Sequence, residues 1–485
     1  MSLIINTYTF ITEVIFQYPK TRAHFRVRFS LFIILYMIGI AHWVGFFDAG
    51  DVSLIAYDWI MQSTYLNTLR MAQTNGLIPW RLSDTYYYHT QNFLANPEII
   101  LTPDIVLLRW IPNGIFVMIH VMLFYSAGFF GSLLISRKQK SSFIAFLLFW
   151  LVFNFNGYLT AHLAVGHFTW TGYFLLPFFF IILSRFVTDS QNAFSVDITS
   201  ALAMAMLLGV LFLNGSFHIA VWCSMFMVIA LLWRWAMFSN VVTSITIGIL
   251  LGVGRLLPAV LFLPHDRGFI SGYPSFGFVL DALTSLRMHN FVESGAGLGT
   301  LAWWEYDLYI GFIAFSILAI YFTLALKRSK LTHQLPLFAA ASIILLLSLG
   351  NVYALVTTLP IPFAGIERVS SRFIVMPFML FLITAMIGID ESFRSWPKNS
   401  KIVALIALPF IARDLVLHSF FWRVEFIEHS FQNIEIPETV ISLAPISDQV
   451  YVLSVYVGWS ISLISLLVVV ALFFRNNRIQ RQEFQ

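Results

Sequence analysis

One carboxylate of this sequence, Asp58, falls where a helical pattern would bury it. Wound at about 100° per residue, residues 54–72 place Asp58 within an apolar stripe. The stripe consists of Leu54, Met61, Tyr65, Leu69 and Ala72. Burying an unpaired carboxylate is costly, so such a group is protonated, paired with a cation or used in function. The alternative is that Asp58 caps the helix by accepting hydrogen bonds from free backbone N–H groups.

Two arginines lie close together in the segment Glu367-Arg-Val-Ser-Ser-Arg-Phe373, directly ahead of an apolar run. Arg368 and Arg372 are four residues apart, so on a helix they would share one face and could bind a single phosphate together. The alternative is a pair of interfacial arginines that reach lipid headgroups, with Glu367 as an acidic partner.

A third arginine, Arg255, lies inside an apolar run, where a charge usually faces a cavity or a partner. Neighbouring glycines and Pro258 predict a break in the helix at this point. Arg255 is therefore a further candidate for phosphate binding. The alternative is a structural ion pair with an acid of the loops.

Further polar side chains lie at the ends of apolar runs and could line a substrate cavity. They are His162, His167, His218 and Glu305. The spacing of His162 and His167 does not suit binding of one metal ion from a regular helix, and no carboxylate is close to them in sequence. Simpler interpretations are polar residues at a span boundary for these two histidines, a tight turn for Asn214–His218 and interfacial anchoring for Trp303–Asp307.

The elements that must position these residues are membrane helices. The chain has 485 residues, of which 59% are hydrophobic and 11% charged, and its mean hydropathy is +0.81. Soluble proteins carry about 25% charged residues, so an ordinary soluble domain is excluded. Runs of about 20 apolar residues recur, each long enough to span a bilayer. The sequence predicts an all-α polytopic membrane protein with twelve spans, at about 29–47, 113–136, 142–158, 168–187, 197–213, 217–236, 241–263, 306–326, 334–350, 372–389, 402–419 and 449–474.

The distribution of lysine predicts which ends of the spans face the cytoplasm. All seven lysines fall on one side of the twelve-span arrangement, as does the basic C-terminal tail. Because cytoplasmic loops carry the excess of basic residues, both termini are predicted to be cytoplasmic. The expected organisation is an N-terminal segment 1–28, a single transmembrane domain 29–474 and a tail 475–485. Large outer loops are expected at 48–112, which includes an amphipathic helix, and at 264–305 and 420–448.

The first outer loop carries a combination of motifs that resembles a known family. Asp58 after span one is followed by a helix that ends at Gly76-Leu-Ile-Pro-Trp80, and then by Phe93-Leu-Ala-Asn-Pro97 before span two. This arrangement resembles the GT-C superfamily of membrane glycosyltransferases, in particular bacterial members related to multispan proteins that glycosylate teichoic acids. Those enzymes have a large first outer loop that begins with an acidic residue. Here no second acid adjoins Asp58, so Asp51 and Asp48 are alternatives for that role.

The resemblance implies an enzyme that transfers a sugar at the outer face of the cytoplasmic (inner) membrane. The donor would be a polyprenyl-phosphate-linked sugar, and the acceptor a glycan, a lipid or a protein of the cell envelope. A carboxylate would take the proton of the acceptor hydroxyl, and positive charge would stabilise the departing lipid phosphate. The expected base is Asp58, and the expected phosphate ligands are Arg368, Arg372 and Arg255. The expected cavity residues are His162, His167, His218 and Glu305. The expected partners are membrane lipid and the lipid-linked donor, without nucleic acid. No metal ligand is assigned, although some members of the superfamily use a divalent metal.

Two other functions remain open from the sequence. A transporter or lipid flippase would spread charged residues through the depth of the membrane, whereas here they gather at the outer ends of the spans. The sequence contains no GxxxxGK[ST] motif for nucleotide binding. A non-catalytic membrane subunit would bind a partner through the outer loops, and Asp58→Asn would then leave activity unchanged.

Overall fold

The computed structural model of the chain describes most of its length. The described residues are 10, 12–81, 92–190, 192–262, 268, 270–287, 301–327, 334–359, 367–395, 398–429 and 448–483. Residues 264–267, 269 and 288–300 of the predicted second outer loop, which include the glycine-rich run 295–299, and residues 430–447 of the predicted third lie outside them.

The described residues form helices, and in this part of the chain β-pairing is limited to isolated bridges. From Arg22 onward the α-helices are α1 (Arg22–Phe46), α2 (Trp59–Asn75), α3 (Asn113–Gln139), α4 (Phe143–Phe155), α5 (Gly157–Ala164), α6 (Leu176–Asp189), α7 (Ile198–Leu213), α8 (Phe217–Trp233), α9 (Phe238–Phe262), α10 (Phe276–Thr284), α11 (Phe312–Leu326), α12 (Leu335–Leu347), α13 (Gly350–Thr357), α14 (Val375–Ser395), α15 (Lys398–Phe421), α16 (Val424–His429) and α17 (Gln449–Glu483). Short 3-10 helices include Asp48–Gly50, Phe93–Ala95, Pro103–Arg109, Phe168–Leu175, Trp303–Glu305 and Ser370–Ile374.

The prediction of an all-α polytopic membrane protein is confirmed. Over the described residues, eight helices are long and apolar enough to cross a membrane, and four further apolar helices are shorter. The shorter four are α7, α8, α11 and α12, and each coincides with a predicted span. The apolar runs of the sequence therefore correspond to the helices of a multi-pass bundle.

The predicted third span is divided in two by Asn156. Its side-chain amide donates to the carbonyl oxygens of Val152 and Phe153, each at 2.9 Å, and its Oδ1 accepts from the N–H of Leu159. The residue thus satisfies the end of α4 and caps the start of α5, although it is fully buried. The short helix α5 carries His162 into the interior at the end of the bundle where the first outer loop lies.

The predicted break in the helix around Arg255 is wrong, because α9 runs continuously through Pro258. The glycines of this stretch serve close packing instead. A side chain at Gly252 would meet Phe212 of α7, and one at Gly254 would meet Trp459 of α17. Small residues let helix backbones approach one another in a membrane, so α9 is held between α7 and α17.

The predicted helix of the first outer loop exists as α2 and ends, as expected, at Gly76 in a left-handed conformation (φ 65°). The predicted burial of Asp58 on its apolar stripe is wrong. The helix begins only at Trp59, because Leu54 (φ 57°) and Tyr57 (φ 49°) are both left-handed and interrupt any helix before it. Asp58 is the N-cap residue, its side chain is 52% exposed, and the carboxylate makes no capping hydrogen bond.

Candidate active site

Asp58 is fixed against the loop that follows α5 by contacts between the two backbones. Its N–H donates to the carbonyl of Val165 at 3.0 Å, and the indole N–H of Trp59 donates to Ala164 at 3.0 Å. Gly166 has φ +93°, and a Cβ at this position would lie 2.2 Å from the nitrogen of Trp59. Only glycine allows this approach, which brings residues 162–167 next to the carboxylate.

The carboxylate of Asp58 leads into a pair of histidines. Its Oδ2 lies 3.0 Å from Nε2 of His167, and Nδ1 of His167 lies 2.6 Å from Nδ1 of the fully buried His162. Partial burial alone would raise the pKa of the Asp58 carboxyl. The contact with His167, chiefly its hydrogen bond, and the charge of Arg372 outweigh burial and hold that pKa below its ordinary value. Asp58 is therefore ionised at neutral pH.

Arg372 forms a two-pronged ion pair with Glu305. Nε and Nη2 of the guanidinium lie 2.7 and 2.6 Å from the two carboxylate oxygens, the geometry of a strong charge-assisted pair. Nη1 is also 3.8 Å from Glu367. The face of the guanidinium lies 5.0 Å from the ring centre of Trp170. Arg372 is thus held by two acids and an aromatic ring.

Glu367 connects this ion pair to a third histidine. Its Oε2 is 2.8 Å from Nδ1 of His218 and accepts from the indole N–H of Trp222 at 3.2 Å. Burial alone would raise the pKa of the Glu367 carboxyl. The charge and hydrogen bond of His218, the charge of Arg372 and the N–H of Val369 outweigh burial and lower that pKa.

The structure therefore brings most of the predicted site residues together around one indole ring. The ring of Trp170 lies 4.9 Å from that of His162, 5.2 Å from that of His167 and 5.6 Å from that of His218. We define the active-site cluster as Asp58, His162, His167, His218, Glu305, Glu367 and Arg372 around Trp170. A further link is the contact between the rings of Tyr57 and Trp304, 4.7 Å apart, next to Asp58 and Glu305 respectively.

Four of the predicted residues are not part of the cluster. Arg255 is buried, and its Nη2 donates to the carbonyls of Asn96, Pro97 and Ile99 at 2.7 to 3.1 Å. It therefore anchors the first outer loop to α9. Asp48 and Asp51 are exposed, and no described residue binds their carboxylates.

Arg368 does not share a helix face with Arg372, contrary to the prediction. The 3-10 helix begins only at Ser370, and Arg368 precedes it in a segment whose backbone pairs with Ile270 and Ser271. Its side chain is exposed, and within the described part of the chain nothing pairs with it.

An apolar groove adjoins the cluster. The cavity has a volume of about 410 Å³ and lies between α10, α11, α12 and α14. Leu308 and Ile374 form part of its wall, and these residues closely follow Glu305 and Arg372 in the sequence. The remaining wall is almost entirely Leu, Phe, Ala and Val, and Phe276 and Leu280 at its edge are about half exposed. The groove is therefore linked to the cluster through the segments that carry Glu305 and Arg372.

No protein-family model matches the chain, and no curated protein matches it in sequence. Its fold is similar to that of the arabinofuranosyltransferase AftD from mycobacteria, solved by single-particle cryo-EM, with a TM-score of 0.50 and 14% sequence identity. The match covers 81% of this chain, and the chain spans about a quarter (27%) of the length of AftD. At this level of identity the similarity is one of fold alone. The resemblance inferred from the first outer loop is confirmed at the level of the fold.

Within this fold, a second buried network supports the cluster from behind. Oδ2 of Asp307 is 2.9 Å from Nε2 of His418 and accepts from the indole N–H of Trp422 at 3.0 Å. Thr160 of α5 lies 3.4 Å from the other nitrogen of His418. Both Asp307 and His418 are fully inaccessible, so they fix the turn that carries Glu305 against α5 and α15.

The sequence analysis did not identify Trp170, Asp307 or His418 as site residues. Trp170 lies in a run of aromatic residues and gives no local signal. Asp307 and His418 each had one: a carboxylate two residues after Glu305, and a histidine inside an apolar span. Among the described residues, no three His, Cys, Asp or Glu side chains are arranged to bind one metal ion.

Proposed function

We propose that this chain is a membrane glycosyltransferase that transfers a sugar from a polyprenyl-phosphate-linked donor to an acceptor hydroxyl at the outer face of the cytoplasmic membrane. The observation that carries the proposal is the position of Asp58. It is an ionised, half-exposed carboxylate beside a dense cluster of charged side chains, and an apolar groove opens next to that cluster. This combination suits a substrate with a charged head and a long apolar tail.

Asp58 is the proposed general base. One carboxylate oxygen, Oδ2, is bound by His167, which leaves Oδ1 to accept the proton of the acceptor hydroxyl. As the oxygen of the acceptor hydroxyl forms its bond to the anomeric carbon, the bond from this carbon to the phosphate oxygen breaks. The electron pair of the broken bond leaves with the polyprenyl phosphate.

Arg368 is the proposed direct ligand of the donor phosphate. Arg372 already has its charge balanced by Glu305 and Glu367, whereas the exposed guanidinium of Arg368 has no partner among the described side chains. Positive charge at this point stabilises the developing phosphate anion. Arg372 then serves to hold the two buried glutamates in place. Arg255 is left out of the proposed phosphate site, because its guanidinium is engaged with backbone carbonyls.

The groove between α10, α11, α12 and α14 is the proposed site for the lipid chain of the donor. Its walls are apolar, so an isoprenoid chain can pass from the bilayer into the groove without exposing its surface to water. The exposed edge formed by Phe276 and Leu280 gives a lateral route of entry from the bilayer.

The test is to purify wild type, Asp58→Asn and Asp51→Asn in mild detergent and to identify the bound lipids by mass spectrometry. We expect Asp58→Asn to retain a polyprenyl-phosphate sugar more strongly than wild type, because transfer is blocked after the donor has bound. Asp51→Asn should behave like wild type, since its carboxylate is exposed and no described residue binds it. Absence of polyprenyl lipid from all three samples would contradict the proposal and favour a transporter or a non-catalytic subunit.

A further inference from the structure

The two histidines behind Asp58 form a chain of hydrogen bonds that ends inside the protein. It runs from Oδ2 of Asp58 to Nε2 of His167, and from Nδ1 of His167 to Nδ1 of His162. The last atom, Nε2 of His162, is buried and has no hydrogen-bond partner among the described atoms. Such a chain restricts where its protons can lie.

The ionised carboxylate can only accept, so Nε2 of His167 carries a proton and donates it to Asp58. A neutral His167 then has a lone pair on Nδ1. The short contact to His162 requires that Nδ1 of His162 donate to this lone pair. His162 is left with a bare Nε2, which is a buried acceptor without a donor.

The alternative arrangement, with a doubly protonated His167, is less favourable. His167 would then donate from Nδ1, and His162 would carry its own proton on Nε2. That proton would point into a buried site without an acceptor. The charge of Arg372 also acts on Asp58 and on His162 and disfavours a second cation at this place.

We propose that His162 and His167 are positioning residues for Asp58. The N–H of His162 fixes the tautomer of His167, and His167 then holds one oxygen of Asp58 by a directed N–H while the other oxygen faces the acceptor. The reaction that they serve rests on the proposed function, but the hydrogen-bond chain itself does not depend on it. The backbone contacts at Val165 and Gly166 hold both partners in register.

Few charged or aromatic groups act on the hydrogen-bonded residues Asp58, His167 and His162. Asp58 is influenced by His167 and Arg372, and His162 by His167, Arg372 and His218. The rings of Tyr158 and Trp170 pack on His162. Removal of the histidine donors should therefore change the protonation of Asp58, while the other charges stay in place.

The protonation of Asp58 can be followed without substrate. A water-soluble carbodiimide reacts with protonated carboxyl groups, and peptide mass spectrometry measures the product at each acid as a function of pH. Asp58 is half exposed and open to the reagent, and Asp48 and Asp51 provide exposed reference acids in the same loop. The full-length protein in detergent is sufficient for this experiment.

Two matched pairs of variants distinguish the effect of losing the N–H donors from the effect of losing the imidazole rings. Gln at 167 keeps an N–H near the position of Nε2, and Asn at 162 keeps one near Nδ1, whereas Leu removes the donor in each case. We expect His167→Leu and His162→Leu to increase labelling of Asp58 several-fold at mildly acidic pH relative to Asp51. His167→Gln and His162→Asn should remain within about twofold of wild type, because they preserve the donors.

Unchanged labelling of Asp58 in the Leu variants would overturn the proposal, as would equal effects of the Leu variants and their amide counterparts. If a Leu variant does not fold, the amide variants still test the proposal. Strongly increased labelling of Asp58 in an amide variant would contradict the proposal, and labelling at the wild-type level would support it. Failure of the proposed glycosyl transfer would leave the labelling pattern intact. The two proposals can therefore fail separately.

Discussion

Arg372 is the residue on which the charges of the site converge. It is bound in two places by Glu305 and is close to Glu367, and all three side chains are largely buried. Buried carboxylates are tolerated only when they are paired and hydrogen-bonded. The guanidinium therefore determines whether two further charges can exist in the interior.

We predict that Arg372→Met lowers the free energy of unfolding by about 3–5 kcal/mol, because it leaves buried carboxylates without their cation. The double variant Arg372→Met, Glu305→Leu should recover much of this loss, since it removes the main uncompensated charge. Thermal unfolding in detergent measures both. A double variant that is no more stable than the single one would show that the pair is not the source of the effect.

At the scale of elements, the site depends on how closely the loop after α5 approaches the start of α2. The approach is possible because Gly166 has no side chain and adopts φ +93°. It sets the distance between His167 and Asp58, which lie on elements more than a hundred residues apart in sequence. The loop and the helix thus behave as one unit.

We predict that Gly166→Ala strongly reduces transferase activity and destabilises the protein, because the new methyl would overlap the backbone at Trp59. The matched control is Gly76→Ala at the end of α2. Gly76 is also left-handed (φ 65°), but nothing lies within 4 Å of a Cβ there, so only the conformational cost of about 1 kcal/mol applies. Equal losses in the two variants, measured by unfolding and by activity, would contradict this account.

At the scale of the whole molecule, four helices and two turns enclose the groove next to the cluster. The groove lies between α11, α12 and α14. A substitution in these membrane helices should therefore alter binding of the proposed lipid chain without changing a charged residue.

We predict that Ala341→Phe, which fills the groove, reduces the amount of co-purified polyprenyl lipid several-fold without loss of the fold. Leu346→Phe is the control, because Leu346 is also on α12 but is exposed and does not line the groove. Lipid mass spectrometry provides the measurement. Equal lipid content in both variants would exclude the groove as the lipid site.

Much of the fold could be predicted because each membrane helix is marked by its own run of apolar residues. The site could be predicted in part, because polar residues at the ends of these runs gather at one end of the bundle. His162, His167, His218, Glu305 and Arg372 were found in this way. The sequence does not reveal their pairing, since Arg372 and Glu305 lie in different segments.

The errors have a common physical origin in contacts between distant segments. The start of α2 was misplaced because the preceding residues are held in an irregular conformation by Glu428, which accepts from the N–H groups of Ser53 and Ile55. The interpretation of Arg255 left out the loop carbonyls that it binds, which belong to residues 96–99. Local periodicity carries no information on either contact.

The wide separation in sequence of the residues of the active-site cluster has a consequence for how the protein is made. Asp58 leaves the ribosome long before Arg372; at about 5–20 residues per second the interval is roughly 15 to 60 s. Glu305 is made 67 residues before Arg372, so it has no arginine for roughly 3 to 13 s, and Asp307 has no histidine until His418 is made. The turn that carries these two acids must stay in contact with water until the later helices arrive. The cluster is therefore complete only after Arg372 has been made, and in a chain truncated before Arg372 the carboxylate of Glu305 would lack its cation.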